Sequence, residues 1–374
     1  MRNHPKVIFI VENAWERPAK LAFGLRENGV PVLLLHILPL PFDAKLYFDY
    51  SIQCNNTNEC LEIARRLKPE IAHIFSYTGD QTCIAVLESL DAKVVFDYKD
   101  VFENIKPGNP EVHDTQRMLI EKANGLCCRD RQMELYLRVN DVKPRGKMII
   151  FPDYCYGLPM QHPPKIGGDD EIHVVTIGSF LVEQCYPQYS AHGWLEIAKT
   201  IVNQGIHFHM YPSGYVQNVL NHVVNQLGDS QYHQLARENS FFHLHNKLPL
   251  EQLLSELSQY DFGLLLLQGE IFGIPDNYML DQDSIKYGCS TRMFDYIEAG
   301  LDVLIQDSLL YQATFLKQYN FGQLVDKNYI LENLFEKLKK LKLDKERHSQ
   351  IARARKNMAI GNHVQSLINF YSSL

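Results

Sequence analysis

Short apolar runs rich in β-branched residues alternate with amphipathic stretches along the whole chain, the pattern that builds parallel sheets covered by helices on both faces. In the first half the runs Lys6 to Val11, Val30 to His36, Ile71 to Phe75, Lys93 to Phe96, Gly125 to Cys128 and Lys147 to Phe151 predict strands. Helical stretches at about Pro18 to Asn28, Glu59 to Leu67, Thr82 to Leu90, Pro110 to Ala123 and Gln132 to Val139 lie between them, with stop signals such as Gly29 and Pro69. Residues 157–171 concentrate Pro, Gly and acid without periodicity and read as a linker. The alternation then restarts, with strands at Ile172 to Ile177, Ile206 to Tyr211, Phe241 to His245, Phe262 to Leu267 and Asp302 to Ile305. Its helices are expected at Ala191 to Asn203, Gln217 to Gln226, Leu250 to Ser258 and Arg292 to Ala299. The expected fold class is α/β, with two doubly wound, Rossmann-like parallel-sheet domains. They span residues 1–156 and 172–327, and a helical segment, 328–374, is expected to pack back toward the first. Sheets of this kind bind ligands at the carboxyl ends of their strands, so two facing halves make a cleft.

A chain of 374 residues suits two such domains, and 45% hydrophobic with 22% charged residues excludes disordered, collagen-like and coiled-coil classes. A net charge of −7 without a basic stripe argues against a nucleic-acid binder. The nearest approach to such a stripe is Lys337, Lys339, Lys340, Lys342, Lys345, Arg347, Arg353, Arg355 and Lys356, interleaved with leucines. It reads as a solvated helix face or as peripheral contact with an anionic membrane or acceptor. Eight scattered cysteines without a C-x-x-C pair suit reduced thiols. The run Val7 to Val11 is too short for a signal segment, and no run reaches the length of a spanning helix. The expectation is a soluble, cytoplasmic protein.

Common chemical signatures are missing from the sequence. Glu12-Asn13-Ala14-Trp15 stands where a dinucleotide-binding glycine loop would follow the first strand, and there is no phosphate-binding P-loop, nucleophile elbow or zinc-protease helix. The stretch Tyr287 to Ile305 carries more. Ser290 can cap a helix that ends at Gly300, and Gly288 and Cys289 supply a close-approach loop before it. A loop feeding a helix N-terminus presents N–H groups and the positive dipole end, which suits a diphosphate. Arg292 adds a forked cation, and Asp295, three residues on, can accept from two ribose hydroxyls. The same spacing also describes a surface helix pair.

In the first half, Phe96-Asp97-Tyr98-Lys99-Asp100 follows a strand. Asp97 or Asp100 can serve there as general base for an acceptor hydroxyl, or simply cap the next helix. Arg129-Asp130-Arg131 lies at another strand end, where a guanidinium can meet phosphate. Asp281-Gln282-Asp283 reads as loop. His207 and His209, and likewise His243 and His245, share strand faces but lack a third zinc ligand, so packed or surface histidines are expected. Tyr47-Phe48-Asp49-Tyr50 can stack on a sugar or be buried.

The run Ser290-Thr291-Arg292-Met293-Phe294-Asp295-Tyr296-Ile297-Glu298-Ala299-Gly300 with its following apolar strand resembles the donor-binding helix of group-1 glycosyltransferases of the two-Rossmann GT-B fold. In that family an acid five residues before the Gly holds the nucleotide ribose, and Asp295 occupies its place. Ile177-Gly178-Ser179 resembles the opening strand and loop of the family's second domain, and His245-Asn246-Lys247-Leu248-Pro249 through Leu265 its loop, helix and Asp-led strand. The likeness covers most of residues 172–306. Tyr287 stands where the family usually has a first glutamate, and Ser179 and His192 where it has its diphosphate cations, so Arg292 or Lys286 would have to replace that charge.

The resemblance implies transfer of a sugar from a nucleotide-sugar donor, such as a UDP- or GDP-sugar, to a saccharide or glycolipid acceptor in polysaccharide biosynthesis, without a metal or other cofactor. It places the donor at Gly178, Ser179, Gly288, Cys289, Ser290, Thr291, Arg292 and Asp295, with catalytic roles for Asp97, Asp100 and Arg292. The competing expectation, from the missing cations, is a non-catalytic GT-B-like binder of nucleotide or saccharide.

Overall fold

In the computed structural model the described residues are 6–76, 81–98, 110–157, 164–178, 193–266 and 286–374. They form two parallel sheets. The first runs in the order β3-β2-β1-β4-β5-β6-β7, with β1 Val7–Val11, β2 Val32–His36, β3 Tyr50–Gln53, β4 Ile71–Ser76, β5 Lys93–Tyr98, β6 Gly125–Cys128 and β7 Lys147–Ile150. The second runs β10-β9-β8-β11-β12-β13, with β8 His173–Gly178, β9 His207–Pro212, β10 Phe242–Leu244, β11 Phe262–Leu265, β12 Asp302–Gln306 and β13 Gln323–Val325. In each sheet the strand order reverses beside the first strand of its half, the switch point where doubly wound sheets take their ligands. Every residue of β1 and β4 is buried because helices cover both faces.

The chain divides into two compact units. The first holds the described residues of 1–157, 279–289 and 358–374, and the second those of 158–278 and 290–357. Residues 358–374 join the first unit through the bridge between Cys155 and Ala359 and through Tyr371, whose hydroxyl lies 2.6 Å from His73 Nδ1 on β4. The seven described cysteines are buried thiols. Among the described residues, no helix is long and apolar enough to cross a membrane.

Four of the nine cations of the 337–356 stretch are paired with carboxylates of the second unit. Lys339 pairs with Asp170, Lys342 reaches Asp261 and the carbonyls of Gly168 and Glu171, Arg347 holds Asp302, and Arg355 holds Glu298. Tyr47 and Phe48 are buried, packing edge-on and face-on against Phe42, whereas Tyr50 on the edge strand β3 is 72% exposed.

The two histidine pairs are packed, the first of the two expected alternatives, with His209 buried and His207, His243 and His245 partly so. They join His173 in a five-ring cluster on one face of β8, β9 and β10. Nitrogen atoms of His173 and His209, His209 and His245, and His207 and His243 each lie 3.0 Å apart.

Candidate functional site

The helix Thr291–Glu298 forms where the sequence places it, with Ser290 as its N-cap and Gly300, at φ 75°, just past its end. The Ser290 hydroxyl does not cap a backbone N–H. It accepts instead from Arg292 Nε at 3.1 Å. Arg292 Nη1 donates to the carbonyl of Ile177 at 3.2 Å, which lays the guanidinium across the carboxyl end of β8. Gly178 lets it lie there: the residue sits at φ 103°, and a Cβ would come 3.2 Å from Arg292 Cδ. Burial pulls the guanidinium's pKa down, with Tyr296 and Asp295 opposing that pull. Among the described residues the guanidinium uses two of its five N–H groups, on Ser290 and Ile177, which leaves donors in its fork for a ligand.

Tyr296 seats this helix on the sheet. Its hydroxyl accepts from Ile177 N–H at 3.0 Å and donates to the Leu264 carbonyl at 3.2 Å, bridging β8 and β11. Its ring fills the space over Gly263, where a Cβ would lie 2.3 Å from the ring. Gly263→Ala is therefore expected to lower the second unit's stability by about 1–3 kcal/mol through overpacking. It should also weaken ligand binding at Arg292, because the helix that carries Arg292 must shift. Urea denaturation and ligand titration of the same variant check both effects, and a variant as stable as the parent contradicts them.

Asp295 is buried at 6% exposure, one turn beyond Arg292, so it does not face bulk solvent. On the other side of Gly178, its carbonyl accepts from Ser213 N–H at 2.7 Å, and Ser213 caps the helix Gly214–Leu227 by accepting from Val216 N–H. Lys247 Nζ lies 3.0 Å from where a Gly214 Cβ would stand. Two cationic side chains and a helix N-terminus thus gather at the carboxyl ends of β8, β9 and β10. Lys247 follows the predicted strand Phe241 to His245, and that place at a strand's carboxyl end is the signal the sequence holds for it.

The loop before the helix differs from expectation. Cys289 is buried in the first unit, and its N–H donates to Asp130 Oδ2 at 2.9 Å, so this amide already has an anionic partner. Gly288 and Cys289 group with the first unit, and Ser290, Thr291, Arg292 and Asp295 with the second. Ser179, His192, Asp100 and the Asp281 to Asp283 stretch lie outside the described residues.

Asp97 is where expectation and structure part most clearly. β5 runs on through Tyr98 because Asp97 and Tyr98 pair with Cys127 and Cys128 of β6. Asp97 is therefore a strand residue with 0% exposure, neither a loop base nor a helix cap. Its Oδ1 accepts from Arg17 Nε at 2.7 Å, and its Oδ2 lies 3.2 Å from His73 Nε2. Arg17 also donates to Asp153 Oδ1 at 2.5 Å and to Cys127 Sγ at 3.5 Å.

Burial pushes Asp97 toward its neutral form, but Arg17 and His73 prevail and hold its pKa below the ordinary value. Burial keeps His73 neutral, which fits Tyr371 O–H donating to Nδ1 and Nε2–H facing Asp97. His73, Asp97 and Cys127 are the one group of three metal-capable side chains found together among the described residues. Arg17 supplies the positive charge in that cluster. Arg129 and Asp130, read from sequence as a phosphate-binding strand end, are buried, with Arg129 Nε 3.4 Å from Asp130 Oδ2.

The fold that these elements make is the GT-B architecture of glycosyltransferases, two parallel-sheet α/β domains. Among solved structures the chain is similar to WaaG, a glycosyltransferase involved in lipopolysaccharide biosynthesis, at 12% identity and TM-score 0.55 over 98% of this chain and 100% of that one. It is also similar to Anabaena Alr3699/HepE in complex with UDP, at 10% identity and TM-score 0.59 over 99% and 100%. A third is a variant of S. aureus TarM in complex with UDP and saccharides, at 10% identity and TM-score 0.60 over 98% and 99%. At such identities the likeness is one of fold. No protein-family model and no curated protein matches the chain.

Proposed function

We propose that this protein is a group-1-like glycosyltransferase of the cytoplasm, moving a sugar from a nucleotide-sugar donor to a hydroxyl of a saccharide or glycolipid. The observation that carries this reading is the placement of Arg292 over Gly178, held by Ser290 and Ile177, with Asp295 one turn further along the same helix. Departure of a nucleoside diphosphate from an anomeric carbon builds negative charge on the phosphates. A preorganised guanidinium at a helix N-terminus meets that charge without needing to reorganise or to recruit a metal. Asp295 would hold the ribose, and Lys247 would supply the second cation that Ser179 and His192 cannot.

The bound UDP and UDP-glucose of the HepE structures support a uridine nucleotide as the first donor to try. Calorimetry with UDP, GDP, ADP and CMP compounds tests the assignment. One nucleotide class is expected to bind, and Asp295→Ala should weaken it about ten-fold or more, the loss of hydrogen bonds to a charged group. Binding by none, or binding unchanged by the substitution, would defeat it.

A second reading, a GT-B-like protein that binds nucleotide or saccharide without transferring it, is favoured by one observation. Asp97, the one of the two expected acceptor bases among the described residues, is enclosed and ion-paired. Nucleotide retained with no release of sugar, to water or to varied acceptors, would select it.

A further inference from the structure

The five-histidine cluster belongs to no part of the proposed donor site, yet it shares that site's sheet face. Gly263, under the Tyr296 ring, is in register with Val175, and Val175 with His209. The helix that carries Arg292 and the histidines therefore lie on one side of the sheet. Three rings form a diagonal chain, His173 Nδ1 to His209 Nε2 and His209 Nδ1 to His245 Nε2, each at 3.0 Å. The chain starts at the amino end of β8, where His173 Nε2 lies 3.7 Å from the half-exposed Glu171 carboxylate. It finishes at His245, just past β10, stacked at 4.1 Å on Tyr211. Tyr211 is in register with Ile177, whose carbonyl Arg292 holds. His245 continues the same row, two strand spacings, about 10 Å, from β8.

A neutral imidazole has one N–H and one lone pair, so the chain has a direction. The Glu171 carboxylate favours Nε2–H on His173. His173 Nδ1 must then accept from His209, and His209 Nδ1 from His245, which leaves the His245 Nδ1 lone pair as the chain's proton-accepting end. One proton can enter there without breaking a link. A second breaks one, because two adjacent imidazolium rings both donate.

The groups around the chain fix its resting state. Burial, then His243, holds His245 down to about 4, with Glu256 pulling the other way. Burial, then His207, holds His173 to about 4 against Asp261 and Glu171, with Lys342 adding to the depression. His209 is lower still, from burial and then His243, His245, His173 and His207. Tyr260 covers His209 at 4.3 Å and shares Glu256 with Tyr211. The chain is therefore uncharged near neutrality and can take up one proton when a new anion arrives beside its end.

We propose that the His173–His209–His245 chain couples donor binding to proton uptake: a diphosphate docked at Arg292 draws a proton onto the His245 end, so that affinity for nucleotide sugars rises as pH falls. This rests on the donor-binding reading above. The probe is UDP-glucose, whose diphosphate holds two negative charges across the range, so that ligand titration does not enter. Calorimetry of the unaltered protein at pH 7.5 and pH 5 is expected to show a Kd about four-fold lower at pH 5, from attraction between imidazolium and diphosphate at about 10 Å. Paired buffers of different ionisation enthalpy should show uptake of roughly two thirds of a proton per ligand at pH 5.

His245→Asn keeps a hydrogen-bonding side chain but cannot take the proton, and should give a Kd independent of pH. His207→Asn, in the neighbouring pair, should keep the dependence. Binding with constant Kd and no proton uptake in the unaltered protein would overturn the coupling alone. No binding at either pH would overturn the donor site and the coupling together, so the two failures look different.

Discussion

Arg17→Met is expected to destabilise the first unit by about 3–5 kcal/mol, the cost of removing one partner from a buried ionic cluster. The magnitude follows from what stays behind. Asp97 and Asp153, at 0% and 2% exposure, would keep their burial and lose the guanidinium that bonds both. The pH dependence gives a second readout with a definite sign. Burial pushes the Asp153 carboxyl up, but Arg17, Arg129 and Lys20 outweigh it and hold its pKa at about 2, below its unfolded value. Asp97 is shifted the same way. In the parent protein this stability is fully present above the unfolded carboxylate pKa of about 4 and is lost as pH falls from there through about 2. In the variant, burial, the largest influence on both carboxyls, is opposed only by Arg129 and Lys20 at Asp153 and by His73 at Asp97, and the carboxyl pKa values are expected to rise above their unfolded values. Acidification from pH 7 toward 5 should then stabilise it. Urea denaturation from pH 4 to 8 measures both, and adding Asp97→Asn and Asp153→Asn to the variant should restore part of the loss. A variant that matches the parent in stability and slope would contradict this account.

Arg292→Ala is the substitution expected to weigh most on activity, with a loss of about 10²–10³ in the rate of donor cleavage. Arg292→Lys should recover only part of it, since an ammonium cannot hold Ser290 and Ile177 while offering a forked face to phosphate. Release of free sugar from the donor that the nucleotide panel selects reports this without knowledge of the acceptor. The substitution should leave folding largely intact, because Ser290 is a part-exposed partner and Tyr296, not Arg292, seats the helix. Unchanged cleavage in the alanine variant would remove Arg292 from the mechanism.

How far sequence reached depended on whether a residue's surroundings are local. The buried parallel strands are near-continuous apolar runs, so β1, β4, β8 and β12 stand out. The strands β3 and β13 do not, being short edge strands of which Tyr50-Ser51-Ile52-Gln53 is mostly exposed. The helix Gln231–Glu238 is hard to read because it is only about two turns long, with Tyr232, Leu235 and Ala236 as its whole apolar side. The helix Thr291–Glu298 was legible from its Ser and Gly boundaries, and Arg292 and Asp295 with it.

Arg17 was not legible. An arginine in the first turn of a helix is ordinarily solvated, and only the fold brings Asp97 and Asp153, from positions 80 and 136 residues away, around it. The same long-range pairing extends β5 and hides Asp97, which sequence alone places in a loop. His173 opens its strand singly, and its role emerges only when β9 lies alongside.

The bond between Tyr371 and His73 ties residues made 298 positions apart. Translation therefore delivers the entire second unit, 158–278 and 290–357, before the segment that completes the first one exists. The first unit is thus discontinuous in the chain, and its central strand gains its last partner only from residues that follow the whole of the second unit.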